Sequence, residues 1–512
     1  MDTKPPFGQS SNSGSDLHGS ARWMTADQAT QAGLFKPQGV LLGQTLNGQP
    51  FRFNGDGHIM VFAPTGAGKG IGFVQPNLAE YSGSMVVLDP KGENAIVSAE
   101  LRRKKGQQVI ILDPFNKTGM GTATYNPLSA LTYADEENLG PMVEGIADAL
   151  VPVSSGERDP HWPLGAKKFI SLLLWFLIAH EAPQDRHLVR LFELAHKGYS
   201  GVEKMARVMI EGRHPDPEVR RMCSALGNWF LGRQPKEFSY FESQALNNLG
   251  WIGDAVWSKI LACAPTQPLP LKSKALTVYL VLPFNRIERY RPWLRVMVTD
   301  LIASLYETPG ALETPVLFLL DEAYSGLGYM ENLFAAAAAV RGAGGRLCFI
   351  YQDVQQVEKL YGKAWTSLIA NSGVTLFWSV NDLEAARYIS EFAGARTVAL
   401  PSQPSGMSQN LLRTEQVFQL PSDEIIALFR SLPPAKFGRF NALTDARFNS
   451  KLAKNTTYNA PLDTSGQATK TARSWVPVDL DAEIAGAAPG QKPSKEAQLL
   501  EAIAQGQRNS GL

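Results

Sequence analysis

The residues best suited to chemistry form a glycine-rich loop with one lysine, Ala63-Pro64-Thr65-Gly66-Ala67-Gly68-Lys69-Gly70. The loop follows the apolar run His58 to Phe62, so the sequence predicts a strand that leads into a phosphate-binding turn. Backbone N–H groups of such a loop point at phosphate oxygens, and Lys69 can reach the β- and γ-phosphates. The dipole of a helix that starts near Gly70 adds positive potential. We predict that the nucleotide-binding residues are Pro64, Thr65, Gly66, Ala67, Gly68, Lys69 and Gly70.

Two positions depart from the phosphate-loop pattern G-x-x-x-x-G-K-[ST]. Ala63 stands at the first glycine, and Gly70 replaces the hydroxyl residue that would bind Mg²⁺. Thr65 is therefore our candidate for the hydroxyl ligand. Taken alone, the loop is also compatible with a glycine-rich turn without chemical function.

A second candidate site is the run Val316-Leu317-Phe318-Leu319-Leu320-Asp321-Glu322. Five apolar residues before two acids predict a buried strand with both carboxylates at its carboxyl end, the edge where open α/β sheets bind ligands. Asp321 would orient Mg²⁺ through its water shell, and Glu322 would polarise the attacking water. Apolar strands that end in an acid are common. The combination with Lys69 is what predicts hydrolysis of a nucleoside triphosphate.

Composition sets the protein class. The chain has 512 residues with 44% hydrophobic and 19% charged residues, values typical of a globular protein of two or three domains. The formal net charge of +1 excludes a global field for nucleic acid or acidic lipid, so DNA contact requires a local basic surface. The three cysteines are far apart, which favours buried thiols over a metal site or disulfide framework. The apolar run 169–179 is too short to span a bilayer and predicts a buried helix.

The order of apolar runs predicts an α/β fold with a mostly parallel sheet and helices on both faces. The predicted strands are 58–63, 84–89, 109–113, 276–282, 316–321, 347–351 and 374–380, and a helix is predicted at 331–341. No strand pattern occurs between about 130 and 265, where amphipathic segments predict an inserted all-α domain. The predicted division is a disordered N-terminus (1–20), a nucleotide-binding domain in two parts (21–130 and 266–450), the inserted domain (131–265) and a flexible tail (451–512).

These motifs together resemble the coupling proteins of type IV secretion and conjugation systems, TraG-like members of the FtsK/HerA superfamily of hexameric translocases. The segments that carry the resemblance are Gly19-Ser20-Ala21-Arg22-Trp23, Ala63 to Gly70, Leu88-Asp89-Pro90-Lys91-Gly92-Glu93, Asp113-Pro114-Phe115 with Asn126-Pro127-Leu128, and Leu319 to Glu322 through Gly328 to Tyr351-Gln352-Asp353 and Tyr361-Gly362. The family itself commonly has glycine after the lysine. The similarity covers about residues 19 to 445.

The resemblance implies a RecA-like P-loop domain that uses ATP and Mg²⁺ in a homohexamer. It also implies partners: single-stranded DNA delivered by a relaxase, relaxase or protein effectors at the all-α domain, and a type IV secretion channel. Family members usually begin with transmembrane helices, and none precedes Gly19. We therefore expect a cytoplasmic protein that a separate membrane anchor protein recruits to the bacterial inner membrane.

Further residues have two readings each. Gln352, at the end of the strand 347–351, could sense the γ-phosphate, as a polar residue at that place does in related motors, or be an ordinary strand-end residue. Arg341 could act as an arginine finger on a neighbouring subunit, with Arg346 a weaker candidate, or belong to a solvated turn. Asp89, with Lys91 and Glu93, could line the nucleotide edge or cap a helix.

DNA contacts have no clear signature in the sequence. Candidate basic groups are Arg102-Arg103-Lys104-Lys105, Arg286 with Arg289 and Arg291, and Arg220-Arg221, although such runs are usually solvated. Two other functions stay open: a soluble intracellular DNA translocase, which the missing anchor favours, and a nucleotide-dependent docking platform without turnover, which Gly70 favours weakly. Glu322 speaks against the platform, because degenerate ATPases commonly lose that base.

Overall fold

The computed structural model describes residues 18–455, apart from 155, 213, 309, 311–313, 331–336, 371 and 401–402. Most of the predicted disordered N-terminus and of the predicted tail lies outside the described residues. The first part of the helix predicted at 331–341 also lies outside them.

Most of the strands form one large sheet. The strands are β1 (Val40–Gln44), β2 (Pro50–Phe53), β3 (His58–Phe62), β4 (Met85–Asp89), β5 (Gln108–Leu112), β6 (Leu276–Val281), β7 (Val316–Leu320), β8 (Gly345–Tyr351), β9 (Ser372–Phe377), β10 (Ala395–Leu400), β11 (Gln403–Asn410), β12 (Glu424–Phe429) and β13 (Ala435–Gly438). Their order in the sheet is β2-β1-β13-β12-β9-β3-β8-β7-β4-β6-β5, and β10 and β11 form a separate hairpin.

The centre of the sheet is parallel and one side is antiparallel. All neighbouring pairs from β9 to β5 run parallel. The pairs from β9 through β12, β13 and β1 to β2 run antiparallel. The seven strands predicted from the sequence are β3 to β9, and the predicted α/β class with a mostly parallel sheet is confirmed. The antiparallel strands were not predicted.

Helices cover both faces of the sheet. They are α1 (Ala26–Gln31), α2 (Gln75–Glu80), α3 (Glu93–Lys104), α4 (Ser129–Thr132), α5 (Glu136–Leu150), α6 (His161–His180), α7 (Leu188–Ala195), α8 (Gly198–Glu211), α9 (Pro217–Leu231), α10 (Pro235–Leu249), α11 (Ala255–Leu261), α12 (Ile287–Glu307), α13 (Ala323–Gly326), α14 (Ala337–Gly342), α15 (Val354–Tyr361), α16 (Trp365–Ala370), α17 (Leu383–Ala393), α18 (Thr414–Phe418) and α19 (Ala446–Asn449). Short 3-10 turns cover Pro183–Asp185, Gly250–Gly253, Phe284–Arg286 and Gly362–Ala364.

Two apolar cores stabilise the sheet, one on each face. Because side chains alternate along a strand, Met60 and Phe62 of β3 join the core shared with α5 and α12, whereas Ile59 and Val61 join the core on the opposite face. All five residues of β3 are buried. Complete burial of an aliphatic side chain contributes about 1.5–3 kcal/mol, so the strand that positions the glycine-rich loop is held firmly from both sides.

The interval between β5 and β6 is helical. In its described part, which excludes residues 155 and 213, the regular elements are α4 to α11 and two 3-10 turns. The side-chain amide of Asn126 donates to the carbonyl oxygens of Arg186 and Cys263, both at 2.9 Å, and thereby joins the start, middle and end of the interval. This contact gives a structural role to Asn126, which the sequence singled out as part of a motif.

The apolar run 169–179 belongs to α6, a helix of 20 residues. By length and composition this helix could cross a membrane, with a mean hydropathy of 1.4. In the structure, 61% of its apolar window is buried inside the protein. The helix packs against α5, α9 and α10, as a core helix does.

A buried carboxylate connects α12 to this helical interval. Asp300 accepts hydrogen bonds from the Tyr125 hydroxyl at 2.6 Å and from the Ala130 backbone N–H at 2.9 Å. Desolvation by burial raises the pKa of Asp300 from its ordinary 3.8 to about 7, although both hydrogen bonds oppose the shift.

This raised pKa predicts how stability depends on pH. Between the two pKa values the folded state keeps a proton that the unfolded state has lost, so stability falls as pH rises from about 4 to about 7, by about 1.4 kcal/mol per pH unit for one such group. Asp300→Asn should remove this part of the slope, which chemical unfolding between about pH 5 and about pH 7 measures. Asp159→Asn, at an exposed position, is the matched control. An unchanged slope in Asp300→Asn would contradict the prediction.

Candidate nucleotide site

The glycine-rich loop has the geometry of an anion cradle. β3 ends at Phe62, and the chain turns through residues 63–69 into a turn of π-helix, Gly70–Val74, that continues as α2. Gly66 and Gly68 have φ values of +82° and +78°, which favour glycine. The backbone N–H groups of Gly66, Gly68 and Lys69 donate no hydrogen bond to any residue that the structure describes. These donors suit the oxygens of a phosphate group.

Lys69 contacts the acid predicted to be the catalytic base. Its Nζ forms an ion pair with Oε1 of Glu322, and the two residues are 253 positions apart in the sequence. The other carboxylate oxygen of Glu322, Oε2, accepts a hydrogen bond from the side-chain amide of Gln352 at 2.9 Å. The sequence-predicted residues Lys69, Glu322 and Gln352 thus form one connected group at the carboxyl ends of β3, β7 and β8.

The backbone of Glu322 is unusual. Its φ of +52° and ψ of +45° lie in the left-handed region, which costs a residue other than glycine about 1–3 kcal/mol. The Asp321 carboxylate accepts the Glu322 backbone N–H at 3.0 Å and holds the turn. Glu322 itself is 7% exposed. The strained turn directs the Glu322 side chain towards Lys69, which follows β3, the second strand from β7 in the parallel part of the sheet.

Asp321 is the predicted Mg²⁺ ligand. Burial raises the pKa of its carboxyl to about 6, with opposition from the charge of Lys69 and reinforcement from Glu322. Thr65, the other predicted ligand, is exposed on the loop. No group of three or more His, Cys, Asp and Glu side chains converges on a metal position in the described part of the chain. One carboxylate fits Mg²⁺, which proteins often bind through one or two carboxylates, water and substrate phosphates.

Asp89 lies at the end of β4, next to β7 in the sheet. Its Oδ2 accepts the Ala95 backbone N–H at 2.9 Å, so it caps the first turn of α3 as the structural reading predicts. Its buried Oδ1 has no hydrogen-bond partner among the described residues. Burial raises the pKa of Asp89 to about 7, and the charges of Asp321 and Glu93 add to the shift. Asp89 therefore lies near the site while serving the fold, and Lys91 is exposed.

The two candidate arginine fingers have different environments. Arg341 is exposed in α14, before β8, and lines a pocket with Gly55 and Asp56 at the edge of the sheet opposite to Lys69. Arg346 is buried, and it donates to the carbonyl oxygens of Phe53 at 3.4 Å and Gly55 at 2.7 Å. Arg346 thus has a role in the fold, whereas Arg341 is available only to a group outside its own nucleotide site.

Some of the basic residues proposed for DNA contact bind other residues of the protein instead. Arg102 is completely buried and donates to the backbone oxygens of Leu78, Tyr81 and Gly83. Arg289 forms an ion pair with Asp254 at 2.8 Å. The interpretation of 102–105 as a DNA-binding run is therefore wrong for Arg102, because a run of basic residues in the sequence does not distinguish a buried arginine from an exposed one.

Two residues at the loop were not predicted from the sequence. The indole N–H of Trp378 donates to the Ala67 carbonyl oxygen at 3.2 Å. The Arg439 guanidinium donates to the carbonyl oxygens of Ala67 and Gly68 at 3.1 and 3.2 Å. Trp378 follows β9 and Arg439 follows β13, hundreds of positions from the loop. No local spacing could have indicated either contact.

Comparison with solved structures supports the fold. The plasmid coupling protein TrwB, in complex with the non-hydrolysable ATP analogue ADPNP, matches with a TM-score of 0.59 at 15% identity, over 84% of this chain and 96% of that chain. TrwB in complex with ADP and Mg²⁺ matches with a TM-score of 0.55 at 16% identity, over the same shares. At these identities the likeness concerns the fold, and it confirms the predicted RecA-like class with added helices.

Sequence relatives extend the comparison. Protein VirD4 of Agrobacterium fabrum (strain C58 / ATCC 33970) is 28% identical over 457 residues, which is 84% of this chain and 66% of that protein. The conjugal transfer protein TraG of the same organism is 25% identical over 469 residues, 83% of this chain and 70% of that protein. The chain spans 64–66% of the length of the VirD4 proteins.

A family model covers most of the chain. The model for type IV secretory system conjugative DNA transfer matches residues 19–465. The matched range includes the loop at Lys69, the acids at 321–322 and Gln352, on which the resemblance was based. The chain belongs to the type IV secretory system conjugative DNA-transfer family.

Proposed function

We propose that this protein is an ATP-hydrolysing coupling protein of a type IV secretion or conjugation system, which drives relaxase-bound DNA or a protein substrate to the secretion channel. The observation that carries the proposal is the connected group Lys69–Glu322–Gln352 beside a loop whose amides at Gly66, Gly68 and Lys69 have no acceptor among the described residues. Motors of this kind need these parts at one edge of a sheet: a phosphate cradle, a lysine, a base and a polar sensor.

Binding of ATP would rearrange the ion pair. The phosphates would accept hydrogen bonds from the N–H groups of Gly66, Gly68 and Lys69, and the Lys69 ammonium would move from Glu322 to the β- and γ-phosphates. Oε1 of Glu322 would then be free to accept a proton. Because Gln352 holds Oε2 at 2.9 Å, the carboxylate would keep its orientation when Lys69 leaves.

Hydrolysis would then use the freed carboxylate. Glu322 would accept a hydrogen bond from a water molecule whose oxygen attacks the γ-phosphorus, while the bond to the ADP oxygen breaks. Asp321, with Thr65, would hold Mg²⁺, which neutralises charge on the phosphates. Loss of the γ-phosphate would let the Lys69 ammonium return to Glu322, and the hydrogen bond that Gln352 donates to Glu322 would pass the change to β8.

Family membership supports a proposal about the partners. We propose that 21–130 and 266–450 form the nucleotide-binding domain and that the helical domain, 131–265, receives the relaxase or protein effectors. We further propose a homohexamer that handles single-stranded DNA at the cytoplasmic face of the bacterial inner membrane, recruited by the channel or a separate anchor protein. The exposed Arg341, remote from its own Lys69, supports a ring in which it serves a neighbour.

Steady-state ATP hydrolysis by the purified chain, with and without single-stranded DNA, tests the proposal. DNA should stimulate turnover in the wild type. Lys69→Ala should abolish nucleotide binding, whereas Glu322→Gln should bind ATP and lose turnover by about 10²- to 10⁴-fold, the usual contribution of a general base. Bound ATP is measured separately by equilibrium binding.

The exposed residues Lys36 and Glu100 supply matched controls, Lys36→Ala and Glu100→Gln. Nucleotide binding without turnover under any condition, including with added host membranes, would contradict the motor and favour a docking platform. An ATP hydrolysis rate that changes neither with DNA nor with membranes would contradict the coupling role.

A subunit-mixing experiment tests Arg341 as an arginine finger. Arg341→Ala should lower turnover by about 10³-fold or more, because a finger stabilises charge on the transferred phosphoryl group. Since the residue would act on a neighbour, mixing Arg341→Ala with Lys69→Ala should restore part of the turnover that both variants lack alone. The measurement is the hydrolysis rate across mixing ratios.

Arg346→Ala is the contrasting variant. It removes donors to Phe53 and Gly55 and should lower the unfolding temperature, while Arg341→Ala should leave it unchanged because its side chain is exposed. Full turnover by Arg341→Ala would exclude the finger.

A further inference from the structure

We infer that Arg439 is a positioning residue that orients the amide donors of the phosphate loop. This inference rests on the proposed nucleotide binding. In addition to the ion pair of Lys69 with Glu322, it gives the loop a second support, from a residue that is distant in the sequence. Arg439 directly follows β13, which pairs with β12 in the antiparallel side of the sheet. Its own backbone N–H donates to the Asp423 carbonyl oxygen at 2.6 Å, which fixes where its side chain starts.

The guanidinium binds the carbonyl side of the loop. One nitrogen, Nη1, donates to the oxygens of Ala67 and Gly68 at 3.1 and 3.2 Å. The Trp378 indole also donates to the Ala67 oxygen, at 3.2 Å. Hydrogen bonds from a charged donor are about twice as strong as neutral ones, so the arginine is the stronger of the two side-chain donors to the Ala67 oxygen. The Gly68 oxygen also accepts the Gly72 backbone N–H at 2.7 Å.

Peptide geometry converts this contact into control of the amides. In a trans peptide the carbonyl of one residue and the N–H of the next lie in one plane and point in opposite directions. Holding the Ala67 oxygen therefore fixes the Gly68 N–H, and holding the Gly68 oxygen fixes the Lys69 N–H. These are two of the amides that lack an acceptor within the described chain. Arg439 thus directs both donors to the side where phosphate would bind.

Gly68 in the loop and Gly72 in the π-helical turn that follows leave space for the Arg439 side chain. A Cβ atom at Gly68 would lie 1.7 Å from Nη1 of Arg439, and one at Gly72 would lie 2.6 Å from its Cγ and Cδ atoms. Gly72 does not have a positive φ, so backbone conformation alone does not require glycine there. The space for Arg439 does require it.

Fold stability alone is a poor explanation for Arg439. Its Nε is buried and has no hydrogen-bond partner among the described residues, and a buried unpaired donor costs free energy. An apolar side chain would fill the same space without that cost. A role in orienting the loop accounts for the charge.

Equilibrium binding of ATP and ADP to the full chain tests the inference. Arg439→Ala should weaken both nucleotides at least about tenfold, because two charge-assisted hydrogen bonds hold the loop and a factor of ten corresponds to the loss of a single strong one. Arg439→Lys keeps the positive charge but lacks the planar guanidinium group, and it should recover part of the affinity. Arg430→Ala, an exposed arginine at the other end of the same hairpin, should bind as the wild type does.

A double-mutant cycle with Gly72 separates positioning from general damage. Gly72→Ala should weaken nucleotide binding in the wild type by displacing Arg439, and should cost nothing further in Arg439→Ala. Additive losses, or wild-type affinity in Arg439→Ala, would overturn the inference. Failure of the wild type itself to bind ATP would overturn the proposed function instead, so the two failures are distinguishable.

Discussion

The parallel register of the central strands is the constraint on which the site depends. β3 lies beside β8, β8 beside β7, and β7 beside β4, all in the same direction. Residues that follow these strands must therefore meet at one edge, whatever their separation in the sequence. Lys69, Glu322 and Gln352 meet in this way, and the two apolar cores keep the register fixed. A shift of one strand by one residue would move each of its side chains to the opposite face, disrupt the packing of both apolar cores and separate the ion pair.

Two opposed supports then hold the phosphate loop. From the parallel side, Glu322 takes the Lys69 ammonium, at the expense of a left-handed backbone conformation. From the other side, Trp378 after β9 and Arg439 after the antiparallel strand β13 donate hydrogen bonds to the loop carbonyls. The lysine side chain and the backbone of the loop are thus fixed independently. In the proposed cycle, nucleotide would displace only the first support, while the second would keep the amide donors aligned.

The sequence predicted the parts of the site whose signal is local. A strand followed by Gly-Lys, and an apolar run followed by two acids, each contain their own evidence, so Lys69, Glu322 and the parallel strands could be found. Arg439 could not, because its contact depends on how β12 and β13 extend the sheet beyond β9. Arg102 looked like a surface charge because burial of an arginine depends on backbone carbonyls that converge from distant segments. Whether Arg341 serves a neighbour depends on a second subunit.

The contacts of Asn126 bear on how such proteins can diverge. One side chain joins the start of the helical interval to Arg186 and Cys263, and the strands on either side of that interval, β5 and β6, are hydrogen-bonded neighbours. The chain therefore leaves the sheet at the carboxyl end of β5 and returns to it at the amino end of the neighbouring parallel strand β6. Insertions, deletions or exchange of outer helices can therefore occur in this interval without moving a strand. In the proposed function, the surface that recognises cargo can thus diverge while the nucleotide site is kept, provided that α5 keeps its packing against α12.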